Sequence, residues 1–244
     1  MSTLFISDLH LDPSRPQITK AFLRFLFNQA SKAEALYILG DLFEIWIGDD
    51  DDSDFVVHIK EALQRYSASG VPTYFLHGNR DFLVGEQFAE DTGITLLEEI
   101  TVVDLYDEKV LLAHGDTLCT LDLEYQEFRS QVRSQAWQAQ VLSQPLAVRR
   151  QMAAELREKS QSMNAMKAED IMDVTPEEVI SLMEAEGVQK MIHGHTHRPN
   201  RHRVDLGENT GERVVLGDWG EKGWYLNVEP DNWSLVNFPI PPAK

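Results

Sequence analysis

Seven side chains able to bind a metal ion stand at five places along this 244-residue chain: Asp8 with His10, Asp41, Asn79, His114, and His195 with His197. Each place follows a short apolar run, TLFIS, ALYIL, YFL, VLLA or MI. Carboxylate, amide oxygen and imidazole, with no thiolate, suit Mn²⁺, Fe²⁺, Zn²⁺ or Mg²⁺ over softer ions. Two such ions held about 3.5 to 4 Å apart favour displacement at phosphorus and need a bridging group. A carboxylate can bridge, and Asp41, alone at its place, is the candidate.

The other histidines and the cysteine read more plainly. His58 is expected on a helix surface, His77 inside a strand, either buried and hydrogen-bonded or supporting the ligands from behind, His193 in a strand interior, and His202 facing solvent after a turn. Cys119, the single cysteine, reads as a small buried residue, since nothing beside it marks an activated thiol.

These side chains need a frame that gathers strand ends. Short β-rich runs alternate with helical patterns, a helix from about Pro16 to Ala30 and another from about Asp54 to Ser67, which argues for an α/β layered domain. In such domains ligands bind beyond the carboxyl ends of the strands. From about Leu121 to Glu186 the pattern turns helical, with Val148, Met152 and Leu156 at i, i+4 and i+8, and strands return from KMIHGH onward. The expected organisation is a core of residues 1–120 and 187–244 interrupted by a helical insertion, 121–186, whose first part (about 121–170) forms a cap. The acidic run DDDDSD at 49–54 lacks the glycine and terminal glutamate of a calcium loop and reads as a solvated loop leading into a helix.

The chain carries 22 Lys and Arg against 40 Asp and Glu, a formal charge of −18. That balance repels nucleic acid, so no nucleic-acid partner is expected, and no obligate protein partner is evident. One cysteine fits a reducing compartment, and no apolar run reaches the ~18 residues of a spanning helix, so a soluble cytoplasmic protein is expected. Between Arg129 and Lys167, however, stand Arg129, Arg133, Arg149, Arg150, Arg157, Lys159 and Lys167 against only Glu155 and Glu158. This basic island also holds Trp137, Val141, Leu142, Leu146, Met152, Met163 and Met166, a mixture suited to acyl chains, with Arg149 and Arg150 as candidates for docking on an anionic lipid surface.

The series DLH at 8–10, GDLFE at 40–44, GNRD at 78–81, HGD at 114–116 and GHTH at 194–197 resembles the calcineurin-like metallophosphoesterases. The resemblance implies two mixed β-sheets packed as a sandwich and flanked by helices, with two divalent ions, Mn²⁺ by preference, at the strand ends. One ion would be held by Asp8, His10, Asp41 and His197, the other by Asp41, Asn79, His114 and His195. Many family members place a histidine where this chain has Arg80, which cannot act as an acid but can clamp phosphate oxygens. A substrate with a good leaving group is therefore expected. GNRDFL, DLEYQEFR at 122–129 and KSQSMNAMKAEDIMDV at 159–174 resemble the branch of the family that splits the pyrophosphate of UDP-2,3-diacylglucosamine in lipid A biosynthesis. That branch implies attack on the α-phosphorus, catalytic roles for Arg80, Asn79 and His195, substrate contacts from Asn79, Arg80, Asp122, Ser160, Asn164, Lys167 and His195, and a peripheral place on the cytoplasmic face of the inner membrane. A soluble dinucleoside polyphosphate hydrolase of the same fold is the alternative.

Overall fold

The structure is a computed structural model that describes residues 2–164, 171 and 173–243, with the side chains of 159–164 outside the description. Two sheets form a sandwich. The first runs in the order β11-β10-β1-β2-β3-β4, where β1 is Thr3–Ile6, β2 Ala35–Leu39, β3 Thr73–Leu76, β4 Thr95–Leu96, β10 Lys222–Glu229 and β11 Asn232–Pro239. Strands β1 to β4 are parallel, β10 pairs antiparallel with β1, and β11 pairs antiparallel with β10. The second sheet runs β5-β6-β7-β9-β8, with β5 at Ile100–Leu105, β6 Glu108–Ala113, β7 Lys190–His193, β8 Asn200–Leu206 and β9 Asn209–Val215. There β6, β7 and β9 are parallel, and the outer strands are antiparallel. Both sheets are mixed, as the sequence resemblance implies.

The central parallel strands β1, β2 and β3 are covered on both faces, so they read as continuous apolar runs rather than alternations. The pleat sends Phe5, Tyr37 and Leu39 inward against Val110, Leu112 and Ile192 of the opposite sheet. Their neighbours Leu4, Ile6, Leu36 and Ile38 point outward onto helices α1 (Pro16–Asn28), α2 (Asp54–Ser67) and α3 (Glu86–Thr92). On the far side, Leu111, Ala113 and Met191 pack against Val179 and Met183 of α7 (Pro176–Ala185). Of the expected insertion, α7 is thus an outer layer of the sandwich, and the cap is made of α4 (Leu123–Val132), α5 (Gln135–Leu142) and α6 (Leu146–Asn164). None of the described helices is long and apolar enough to cross a membrane.

The cap is fastened to the core, which revises the reading of its cations. Arg149, expected on a lipid-facing surface, is buried, donating to Ile47 O at 2.6 Å, Gln144 O at 2.8 Å and Asp50 Oδ1 at 2.7 Å. Arg150 pairs with Asp51 at 2.8 Å. The acidic run is therefore no mere solvated loop: Asp50 and Asp51 hold α6, while Asp49 accepts from Trp46 Nε1, Gly85 N and Phe88 N. Arg133 donates to Gly78 O at 2.9 Å, and Arg129 pairs with Asp116 and Glu99. A chain at −18 turns these cap arginines toward its own carboxylates. Trp137 and Met152 pack on the helix-side core and Val141 is buried in it, but Leu142 and Val148 stay exposed, as do Leu121, Leu123 and Phe128. Met163 and Met166 lie outside the described side chains.

Candidate metal centre

Strands β1, β2 and β3 of one sheet and β6 and β7 of the other end at the same edge of the sandwich, where their loops meet. Asp8 N donates to Gly40 O at 3.1 Å and His10 N to Asp41 O at 3.0 Å, so the first two loops are laced together. Asp8, His10, Asp41, His195 and His197 all have left-handed backbone, with φ between 49 and 68°. Among the described non-glycine residues only Tyr106 and Asp107, the two-residue turn between β5 and β6, share it. Asp and His tolerate that region better than most residues, though each still costs about 1 kcal/mol or more. The strain turns each side chain back into the edge, and glycines make the room: a Cβ on Gly78 would overlap Asp41, and one on Gly194 would overlap Asp8.

All seven expected side chains converge here. His10 Nε2 lies 3.2 Å from His197 Nε2, which is 3.4 Å from Asp8 Oδ1. Asn79 Oδ1 lies 2.9 Å from both His114 Nε2 and His195 Nδ1. Asp41 Oδ2 stands between the groups, 3.9 Å from His10 Nε2 and 3.7 Å from His114 Nε2. Its other oxygen accepts the Arg80 amide at 2.8 Å, so Oδ2 alone faces both groups. Asp8 belongs with His10 and His197, and also with Asp41 and His114.

The donor set fits divalent cations. His114 Nδ1 donates to Leu39 O at 2.8 Å, which leaves Nε2 to offer its lone pair toward Asn79 Oδ1, itself an acceptor. Two acceptors aimed at a common point are what a cation satisfies. The electrostatics agree. Burial alone would raise Asp8 and lower His197, but their mutual hydrogen bond and charges hold the Asp8 carboxyl well below its usual range and raise the imidazole to about 9. Burial lowers His114 too, yet Asp41, Asp8 and Asp116 outweigh it and raise it. The excess negative field that draws protons onto these rings draws cations equally. His195, desolvated by burial and beside His114, falls to about 4 and stays neutral.

Several supporting residues carried no assigned role in the sequence reading. Buried Asp81 accepts from the amides of Asp41, Leu42 and Gly78 and so fixes two loops at once; burial and the Asp41 charge raise its carboxyl. Asp116 accepts from Tyr125 Oη at 2.6 Å and Arg129 Nε at 2.8 Å, tying α4 to the His114 loop, and the Tyr125 ring lies 6.0 Å from that of His195. Glu44 lies between His10 and Arg157. The acidic ends of GDLFE, GNRD and HGD were the available signal for the three carboxylates.

Of the expected substrate contacts, Asp122 caps α4, its Oδ1 accepting from Tyr125 N at 3.1 Å. Ser160 and Asn164 lie on the last turns of α6 with their side chains undescribed, and Lys167 lies outside the described residues. His193 is buried, with Nδ1–H donating to Gly194 O and Nε2 accepting from Arg213; burial and that guanidinium lower it to about 3, so it is a neutral structural group. His77 donates to Val84 O, His58 is exposed, and His202, expected in solvent, is half-buried. Burial pushes the Cys119 thiol up to about 12.

A family model for calcineurin-like phosphoesterase matches residues 1–199. The chain belongs to the calcineurin-like phosphoesterases. Relatives align over nearly their whole length. A UDP-2,3-diacylglucosamine hydrolase of Cellvibrio japonicus (strain Ueda107) is 55% identical over 98% of this chain and 100% of its own. The proteins of that name from Escherichia coli O81 (strain ED1a) and Hahella chejuensis (strain KCTC 2396) are 51% identical over 98% and 100%, and 48% identical over 97% of each chain. As a calcineurin-like phosphoesterase with clustered carboxylates and imidazoles at its strand ends, the protein is a metal-dependent hydrolase that uses divalent ions.

Proposed function

We propose that this phosphoesterase hydrolyses the pyrophosphate bond of UDP-2,3-diacylglucosamine in lipid A biosynthesis, releasing UMP and 2,3-diacylglucosamine 1-phosphate. The observation that carries this is end-to-end similarity, cap included, to hydrolases named for that substrate.

Two divalent ions, Mn²⁺ by family resemblance, would sit with Asp8, His10, Asp41 and His197 and with Asp41, Asn79, His114 and His195, supplying Lewis acidity and a water of lowered pKa. The chain's own residues do the rest. Water attacks the α-phosphorus in line, and the lipid phosphate departs. Arg80, next in sequence to Asn79 and permanently charged, clamps the phosphate oxygens and stabilises charge that grows as the P–O bond breaks. A phosphate monoester is a good leaving group, so the lack of a proton-donating histidine in GNRD costs little. Ser160 and Asn164, one turn apart on α6, together with Lys167 and Asp122, are assigned to the glucosamine and nucleotide polar groups.

The acyl chains would lie under the cap, beside Trp46, Phe82, Trp137 and Met152. With the cap arginines engaged by the core, peripheral contact with the cytoplasmic face of the inner membrane rests on exposed Leu121, Leu123, Phe128, Leu142 and Val148. The test of the reading is substrate choice: Mn²⁺-loaded protein should cleave the lipid nucleotide and leave a dinucleoside polyphosphate untouched. Cleavage of the soluble dinucleotide alone would keep the metal centre and overturn the substrate.

A further inference from the structure

Glu44 ends the GDLFE stretch three residues beyond Asp41, is buried, and faces two groups from opposite directions. Its Oε2 lies 3.1 Å from Nδ1 of His10, whose Nε2 faces His197 and Asp41. Its Oε1 lies 3.1 Å from Nε of Arg157 on α6. Both nitrogens are buried and have no aligned hydrogen-bond partner among the described residues, so the Glu44 carboxylate is the acceptor each of them faces. Arg157 also approaches Asp12, two residues past His10, at 3.8 Å.

The chain of contacts thus runs from the cap helix through one carboxylate to a ring of the metal centre. An imidazole that binds a cation through one nitrogen is held in tautomer and rotation by a carboxylate at the other. A guanidinium on that carboxylate holds it in turn. Arg149, eight residues earlier on α6, grips the loop at Ile47 and Asp50, so two arginines on the same helix clasp the segment that follows Asp41.

We propose that Glu44 is a positioning residue that orients His10 for metal binding, and that its contact with Arg157 couples docking of α6 to metal affinity. The inference rests on the metal centre described above. Coupling of this kind is reciprocal: if a docked helix tightens the ion, the ion must tighten the helix by the same factor.

The test uses the full chain stripped of metal. Mn²⁺ is titrated by electron paramagnetic resonance into wild type, Glu44→Gln, Arg157→Gln and Asp41→Asn. Hydrogen exchange of residues 146–158 is followed with and without Mn²⁺. Glu44→Gln keeps the shape and should weaken Mn²⁺ binding about 10- to 100-fold. Arg157→Gln, a change at a partly exposed side chain, should weaken it about fivefold. Mn²⁺ should slow exchange in α6 of the wild type, and do so less in Arg157→Gln. Wild-type Mn²⁺ affinity in Glu44→Gln, where Asp41→Asn has lost it, overturns the role of Glu44 alone. Exchange in α6 indifferent to Mn²⁺ overturns the coupling. Wild type that fails to bind Mn²⁺ removes the metal centre itself.

Discussion

The imidazoles of His10 and His197, 187 residues apart in the chain, face each other with Nε2 atoms 3.2 Å apart. His10 Nδ1 faces the Glu44 carboxylate, which leaves its Nε2 lone pair aimed across that gap, and Asp8 beside the rings supplies the charge that a shared cation would neutralise. The same relation repeats on the other side of Asp41, where Asn79 Oδ1 stands 2.9 Å from His114 and from His195.

Asp41 Oδ2 faces a histidine of each group, His10 on one side and His114 on the other. Asp41→Asn keeps an acceptor for the Arg80 amide, so folding should survive, but the charge facing both histidine groups goes. Mn²⁺ binding should weaken by ~10²-fold or more and turnover should vanish with it. Wild-type affinity by Mn²⁺ titration would remove Asp41 from the bridge.

Arg80 presents the opposite pattern. Its backbone amide supports Asp41, and a side-chain truncation leaves that hydrogen bond in place. Arg80→Ala should therefore bind Mn²⁺ as the wild type does and lose turnover by ~10²-fold or more. Near-wild-type kcat would mean that the guanidinium does not act in the transition state.

Much of this was readable in the chain. All seven side chains at the strand ends were named from residue type and the apolar runs before them, because a buried parallel strand leaves a clear apolar signature and a carboxylate after it is conspicuous. Less accessible was everything that depends on what lies opposite. Arg149 looks like a surface cation in sequence; only the fold shows Ile47 O and Asp50 waiting for it. The left-handed backbone of five of those residues leaves no mark beyond the choice of Asp and His. The same limit hid Glu44, whose partners come from residues 10 and 157.

The Arg149 latch gives a stability prediction with a definite pH sign. Arg149→Met removes the donors to Ile47 O, Gln144 O and Asp50 and should destabilise the protein by about 1–3 kcal/mol. The hydrogen bond from Arg149 holds Asp50 below its usual range, so the pair's contribution is complete above the unfolded carboxylate value of about 4 and fades as pH falls through the lower folded value. Denaturant melts should show the wild-type advantage constant from about pH 7 to 5 and shrinking toward about pH 3. An advantage that grows on acidification would contradict the pairing.

Membrane contact should depend on apolar side chains rather than on cap arginines. Leu121 and Leu123 are 59% and 76% exposed. Replacing both with serine should reduce flotation with anionic vesicles severalfold while leaving the melting temperature unchanged, as expected for exposed residues. Undiminished flotation would place the contact elsewhere.

The central claim is that water attacks the uridine-side phosphorus of a lipid nucleotide at this strand-end centre. Metal-stripped protein, with and without added Mn²⁺, is incubated with UDP-2,3-diacylglucosamine in ¹⁸O-water, and the label is located by mass spectrometry. ¹⁸O is expected in UMP and not in the lipid phosphate, and only when metal is present. Label in the lipid phosphate, or turnover without metal, would contradict the claim.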